Sequence, residues 1–123
     1  MSKSDHGILS SETRPWGRFD ILYDGDCKIK RLVVTPGKRL SLQSHHHRRE
    51  VWLVIHGKGK AQVGEEIREL QEGSLVTIEK EQKHRLIHDG PLDAPNLEII
   101  EIQTGTYFGE DDIVRYEDDF HRV

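Results

Sequence analysis

The sequence predicts an all-β domain of many short antiparallel strands, closed as a jelly-roll barrel. Three observations carry that prediction. The apolar runs are short and rich in Val, Ile and Leu. Turn residues break them about every 8–12 residues, the rhythm of small sandwiches and barrels. Only one stretch, near 111–117, reads as a short C-terminal turn or helix.

In chain order, residues 1–13 are polar and read as a flexible N-terminal tail or arm. Residues 14–123 read as one domain, opened by Arg14-Pro15-Trp16-Gly17. Strands are expected over 18–23, 28–35, 38–45, 49–56, 58–63, 66–71, 74–78, 83–88 and 97–104. The turns between them contain Asp24-Gly25-Asp26, Pro36-Gly37, Gly57, Gly64, Gly73 and Asp89-Gly90-Pro91. Thr35-Pro36-Gly37-Lys38 suits a type II turn, because Pro presets φ at the first corner and Gly takes positive φ at the second.

A chain of 123 residues is one ordinary domain and leaves no room for a second catalytic one. Its net charge of −4 argues against general nucleic-acid binding, which needs a basic surface. The single cysteine, Cys27, can form no internal disulfide and fits a reducing cytoplasm. Residues 1–7 lack an apolar signal core, and no run approaches the ~18 apolar residues of a membrane helix. A cytoplasmic protein with no membrane attachment is therefore expected.

The stretch from Pro36 to Glu50 is the richest in chemistry. Residues two apart on a strand face the same way, so Gln43 and His45 share a face while Leu40 and Leu42 take the other. Glu50 opens the next run and can return beside them. An amide oxygen, an imidazole and a carboxylate then lie in one neighbourhood, and His84, at the start of a later strand, can add a fourth ligand. A divalent metal asks for about this donor set.

Gly37, Gln43, His45, Glu50 and Gly57 are separated by five, one, four and six residues. That spacing resembles the first motif of the cupins, with Gln43 where many of them carry His. Gly73, Glu79, Lys80, Glu81, His84 and His88 resemble the second motif. There Glu79, Glu81 and His88 replace the usual Pro, Gly and Asn. A Gln-His-Glu-His set is similar to that of phosphomannose isomerases. Arg14-Pro15-Trp16-Gly17, Leu40-Ser41-Leu42-Gln43, His45-His46-His47-Arg48 and Ile100–Arg115 resemble the type II mannose-6-phosphate isomerase domain, over roughly residues 12–122.

The resemblance implies a cupin double-stranded β-helix and a sugar-phosphate isomerase that converts mannose 6-phosphate to fructose 6-phosphate through an enediol. It implies a divalent metal on Gln43, His45, Glu50 and His84, with zinc the first choice and iron, manganese, cobalt or nickel open. It implies that Arg115 binds phosphate or a developing oxyanion. Asp111, Asp112 and His47 are the candidates for the base, and Arg39, Arg48 and Lys83 are further phosphate candidates. In that family the domain usually follows a mannose-1-phosphate guanylyltransferase domain. No Gly-rich nucleotide loop opens this chain, so that activity is not expected. The expected partner is a small sugar phosphate, with a homodimer as a further expectation. The competing readings are a non-catalytic sugar-binding or regulatory cupin and an Fe²⁺-dependent cupin dioxygenase.

Overall fold

A computed structural model describes residues 7–120. In chain order the strands are β1 (Ser10–Arg14), β2 (Gly17–Asp24), β3 (Lys28–Val34), β4 (Leu42–Ser44), β5 (Arg48–His56) and β6 (Gly59–Val63). They continue with β7 (Glu66–Leu70), β8 (Leu75–Ile78), β9 (His84–Ile87), β10 (Leu97–Gly105) and β11 (Val114–Glu117). One six-stranded sheet has the order β1-β2-β3-β10-β5-β8, and a five-stranded sheet has the order β11-β4-β9-β6-β7. Every strand pairing is antiparallel. The two sheets give the cupin double-stranded β-helix.

Strand alternation decides what fills the space between the sheets. Along β5, Arg48, Glu50, Trp52 and Val54 are buried. Along β10, Leu97, Ile99, Glu101 and Gln103 are buried. Each inward row therefore changes chemistry part-way along. Val54, Leu97, Ile99, Val34 and Leu86 belong to a closed apolar core. The other ends of the same strands bring in Glu50, Glu101, Lys30 and His84. One end of the barrel is hydrocarbon and the other is a buried polar chamber.

Three boundaries differ from expectation. Residues 10–13, expected in a tail or arm, form most of β1, which pairs with β2. Residues 1–6 of that tail lie outside the described residues. The expected strand over 38–45 is regular only at Leu42–Ser44, with an isolated bridge between Arg39 and Ile87. There Leu40, Ser41, Leu42, Ser44 and His45 are all buried, which a two-residue period cannot deliver. The Arg85 guanidinium, not a strand partner, takes the Leu40 carbonyl at 3.0 Å. Near 111–117 a turn leads into β11, and no helix occurs among the described residues. None is therefore long and apolar enough to cross a membrane.

Two backbone positions with positive φ fix turns at opposite ends of the barrel. Gly57 has φ 80, and a Cβ there would lie 2.4 Å from the Asn96 carbonyl oxygen. Glu81 also has positive φ, at 65, and is the only such non-glycine among the described residues. It occupies the position where the second motif usually has Gly. Its N–H donates to the His45 carbonyl at 2.7 Å, which ties the turn before His84 to the strand end that carries His45. A left-handed conformation costs an ordinary L-residue about 1–2 kcal/mol. Glu81→Gly is therefore expected to stabilise the fold by about 0.5–1 kcal/mol, after the extra flexibility of Gly is subtracted. Thermal unfolding should show a rise of a few degrees; a fall would mean that the Glu81 contact with the His46 ring matters more than the strain.

Candidate metal centre

β5 delivers Glu50 inward, β9 begins with His84, and His45 follows β4 directly. Gln43 on β4 lies opposite His84 on one side and Arg115 of β11 on the other. The antiparallel register thus sets Arg115, Gln43 and His84 in one row across the five-stranded sheet. Glu50 closes the group from the facing sheet. His45 Nε2 lies 3.4 Å from Glu50 Oε2, and His84 Nε2 lies 3.8 Å from Glu50 Oε1. One ligand atom from each of His45, Glu50 and His84 falls within 4.8 Å of the others, and all three residues are buried.

The ring orientations are held from behind. His45 Nδ1 donates to the Asp112 carbonyl, and His84 Nδ1 donates to the Gln82 carbonyl at 2.8 Å. A carbonyl cannot donate, so each Nδ1 carries a proton and each Nε2 is the ring atom turned toward Glu50. Asp112 also fixes the intervening loop. Its carboxylate accepts the His46 N–H at 3.1 Å, the His47 N–H at 3.0 Å and the His47 ring at 3.0 Å. Burial alone would raise the Asp112 carboxyl, but these hydrogen bonds bring it below its ordinary value.

Two observations show that the donor set fits a cation. His84 Nε2 is buried and has no hydrogen-bond partner. A guanidinium already reaches between the other two side chains of the cluster: Arg48 Nε donates to Glu50 Oε2 at 2.9 Å, and Arg48 Nη2 to His45 Nε2 at 3.0 Å. Burial is the main cause lowering His45 from 6.5 to about 4, against the pull of Glu50. Burial would raise Glu50, yet His84, Arg48, His45 and the Trp52 N–H hold it well below the usual carboxylate range. A neutral His45 beside an ionised Glu50 is a pair of protonation states that a divalent ion requires.

The remaining sequence candidates are spread more widely. Arg115 lines a cavity of about 70 Å³ beside the centre, together with Gln43, Arg48, Lys30, Glu101 and Glu110, and its Nε is buried without a partner. His47 is exposed and rests on Asp112. Asp111 is exposed and accepts the Tyr107 hydroxyl. Arg39 forms a two-point pair with Asp119 at 2.8 and 2.9 Å, and Lys83 lies over the Tyr116 ring at 4.2 Å. His88 is buried at the far end of β9, where its Nε2 donates to the Pro95 carbonyl at 2.8 Å.

The sequence reasoning missed Lys30, Glu101 and Gln103, all buried at the chamber. Parity was the available signal, since Glu101 and Gln103 share a strand face with Leu97 and Ile99.

Fold and centre define a cupin with a buried His-Glu-His cluster able to hold a metal. The chain belongs to the mannose-6-phosphate isomerase C-terminal family, whose model matches residues 2–118. It is 46% identical over 111 residues to the xanthan biosynthesis protein XanB of Xanthomonas campestris, covering 89% of this chain and 23% of that one. It is 37% identical over 122 residues to a mannose-1-phosphate guanylyltransferase of Escherichia coli, covering 98% and 25%. The alginate biosynthesis protein AlgA of Pseudomonas aeruginosa is 43% identical over 111 residues, covering 89% and 22%. The chain thus spans about a quarter of the length of these curated relatives. Among solved structures, a Klebsiella pneumoniae protein with a double-stranded β-helix domain superposes with TM-score 0.73 at 16% identity, covering 96% of this chain and 97% of that one. A Rhodospirillum rubrum cupin-2 domain gives TM-score 0.63 at 20% identity, covering 91% and 74%.

Two predictions follow from the electrostatics of the centre. The folded pKa of His45 lies below its unfolded value, so in metal-free protein its contribution to stability is complete above pH 6.5 and is lost as the pH falls through about 4. In metal-free protein an NMR pH titration should place the His45 imidazole near 4; a midpoint near 6.5 would mean that burial does not depress this imidazole. Separately, Arg48→Met leaves Glu50 buried without its cation, and the metal-free variant should lose about 3 kcal/mol in denaturant unfolding. The same variant should bind Zn²⁺ about tenfold more tightly by calorimetry, because one competing hydrogen bond to His45 is gone.

Proposed function

We propose that the chain is a metal-dependent sugar-phosphate isomerase that interconverts mannose 6-phosphate and fructose 6-phosphate. The observation that carries this reading is the buried His45-Glu50-His84 cluster set beside a cavity walled by Arg115, Arg48 and Lys30. Membership of the family supports the substrate class. Gln43, His45, Glu50 and His84 would hold the ion, with zinc the first to try and iron, manganese, cobalt and nickel alongside. A divalent ion there would supply Lewis-acid polarisation of the sugar oxygens.

The chain's own residues do the rest. Arg115 brings a planar donor fork with a free Nε to the cavity, suited to a phosphate or an enediolate oxygen. The cavity of about 70 Å³ is far below the ~300 Å³ at which small-molecule pockets usually begin. A space of that size suits the reacting end of an open-chain sugar rather than the whole molecule. The lone Cys27 suits a reducing cytoplasm as the setting.

Purified protein loaded with Zn²⁺ is expected to form fructose 6-phosphate from mannose 6-phosphate. His45→Ala and Glu50→Ala should each lose both metal and turnover. Metal-loaded protein that binds the sugar phosphate without turning it over would favour a non-catalytic sugar-binding cupin. Metal content unchanged in both variants would remove the assigned centre.

A further inference from the structure

Glu101 is a carboxylate walled into the cavity beside the metal centre. It projects inward from β10, with Trp52 of β5 opposite on one side and Lys30 of β3 on the other, and is 5% exposed. The Gln103 amide donates to one of its oxygens. Among the described residues no cation forms an ion pair with it, because Lys30 pairs with Glu110 instead. Glu101 lines the cavity with Gln43, Arg48 and Arg115. We propose that Glu101 is the catalytic residue that carries the proton between the two reacting carbons of the sugar. This rests on the isomerase reading of the centre.

The other acid–base groups near the chamber are engaged. Glu50 has one oxygen on Arg48 and the other on the Trp52 N–H, 2.9 and 3.0 Å away, with both candidate imidazoles beside it. The Asp112 carboxylate is turned to the His46 and His47 amides, and His47 is turned to Asp112. Asp111 holds Tyr107, and Glu110 holds Lys30. Glu101 alone combines burial, an oxygen without a protein partner and a place in the cavity wall. Gln103 fixes its aim, and Arg48 and Arg115 stand in the same wall to face negative charge on oxygen.

The step balances within the substrate. The Glu101 carboxylate takes the C2 hydrogen of the open-chain aldose as a proton. The C2–H electron pair becomes the C1–C2 double bond, and the carbonyl pair moves onto O1, giving an enediolate. The O2 proton passes to O1. The O2 electrons then reform a carbonyl at C2, and the double-bond pair takes the proton back from Glu101 at C1. C1 is reduced, C2 is oxidised, and no outside oxidant or reductant is used.

The test compares zinc-loaded wild type with Glu101→Gln and Glu101→Asp in deuterated water. Melting curves and metal content confirm that each variant is folded and loaded. Glu101→Gln keeps size and shape and removes the base. Loss of turnover by about 100-fold or more is expected, the usual worth of a positioned base. Deuterium uptake into the recovered sugar phosphate should fall in parallel, while mannose 6-phosphate binding by calorimetry stays within about threefold. Glu101→Asp should restore part of the turnover. Turnover by Glu101→Gln within tenfold of wild type would overturn the assignment while leaving the isomerase reading standing. A loaded wild type that neither turns over nor exchanges deuterium overturns the isomerase reading itself, and the role of Glu101 with it.

Discussion

The burial of Glu50 is the constraint on which the polar end of this barrel depends. An ionised carboxylate taken out of water costs several kcal/mol unless charge and hydrogen bonds replace its hydration. Here a guanidinium, an indole N–H and two imidazoles surround it. Each of those partners is itself buried, so each needs support in turn. The Asp112 and Gln82 carbonyls hold the two rings, and the Trp52 ring packs edge-on against His84 at 5.7 Å. The result is a layered arrangement in which a loop far along the chain, at Asp112, orients a ring that begins at residue 45. Such support from outside the ligand shell is what keeps a metal-binding imidazole in a single tautomer and aim.

The apolar half of the barrel makes that polar half affordable. Leu97 and Ile99, both fully buried, precede Glu101 on one strand; Val54 and Trp52 follow Glu50 on the neighbouring one. A strand committed by two core residues has no freedom to slip register, because a one-residue shift would expose them. Glu101 and Glu50 are therefore carried inward by their neighbours rather than by any preference of their own. The chamber is a consequence of strands longer than the hydrocarbon core needs to be.

Much of the fold was legible because short apolar runs and turn residues speak directly for strands. The long central strands β5 and β10 fall within one residue of their expected ends. β1 and β11 were not legible: Ser10-Ser11-Glu12-Thr13-Arg14 and Val114-Arg115-Tyr116-Glu117 lack a buried apolar face and are edge strands whose pairing is decided by what they lie against. His45, Glu50 and His84 were legible through spacing. Lys30 and Glu101 were not, because a charged residue in a strand ordinarily marks the solvent face. Only counting parity from the neighbouring core positions shows that these two point inward. Arg48, a phosphate candidate by sequence, stands beside Arg49, and alternate facing buries the first and exposes the second.

The second cupin motif shows what a motif conserves physically. By residue type it is depleted: Glu79, Glu81 and His88 stand where Pro, Gly and Asn are usual. The turn before His84 nonetheless forms with a left-handed residue in place. Glu81 takes the positive φ that Gly would take, and its N–H reaches the His45 carbonyl. His88 is buried and bridges to the Pro95 carbonyl, closing the loop at the far end of β9. The turn must bring His84 opposite Gln43, and that demand falls on dihedral angles and hydrogen bonds before it falls on side chains. A glutamate can meet it at a cost in strain, and the strain persists because the surrounding ladder over-determines the turn. His84, the candidate ligand with the least support from residue spelling, is thus held in place by the register of β4 and β9.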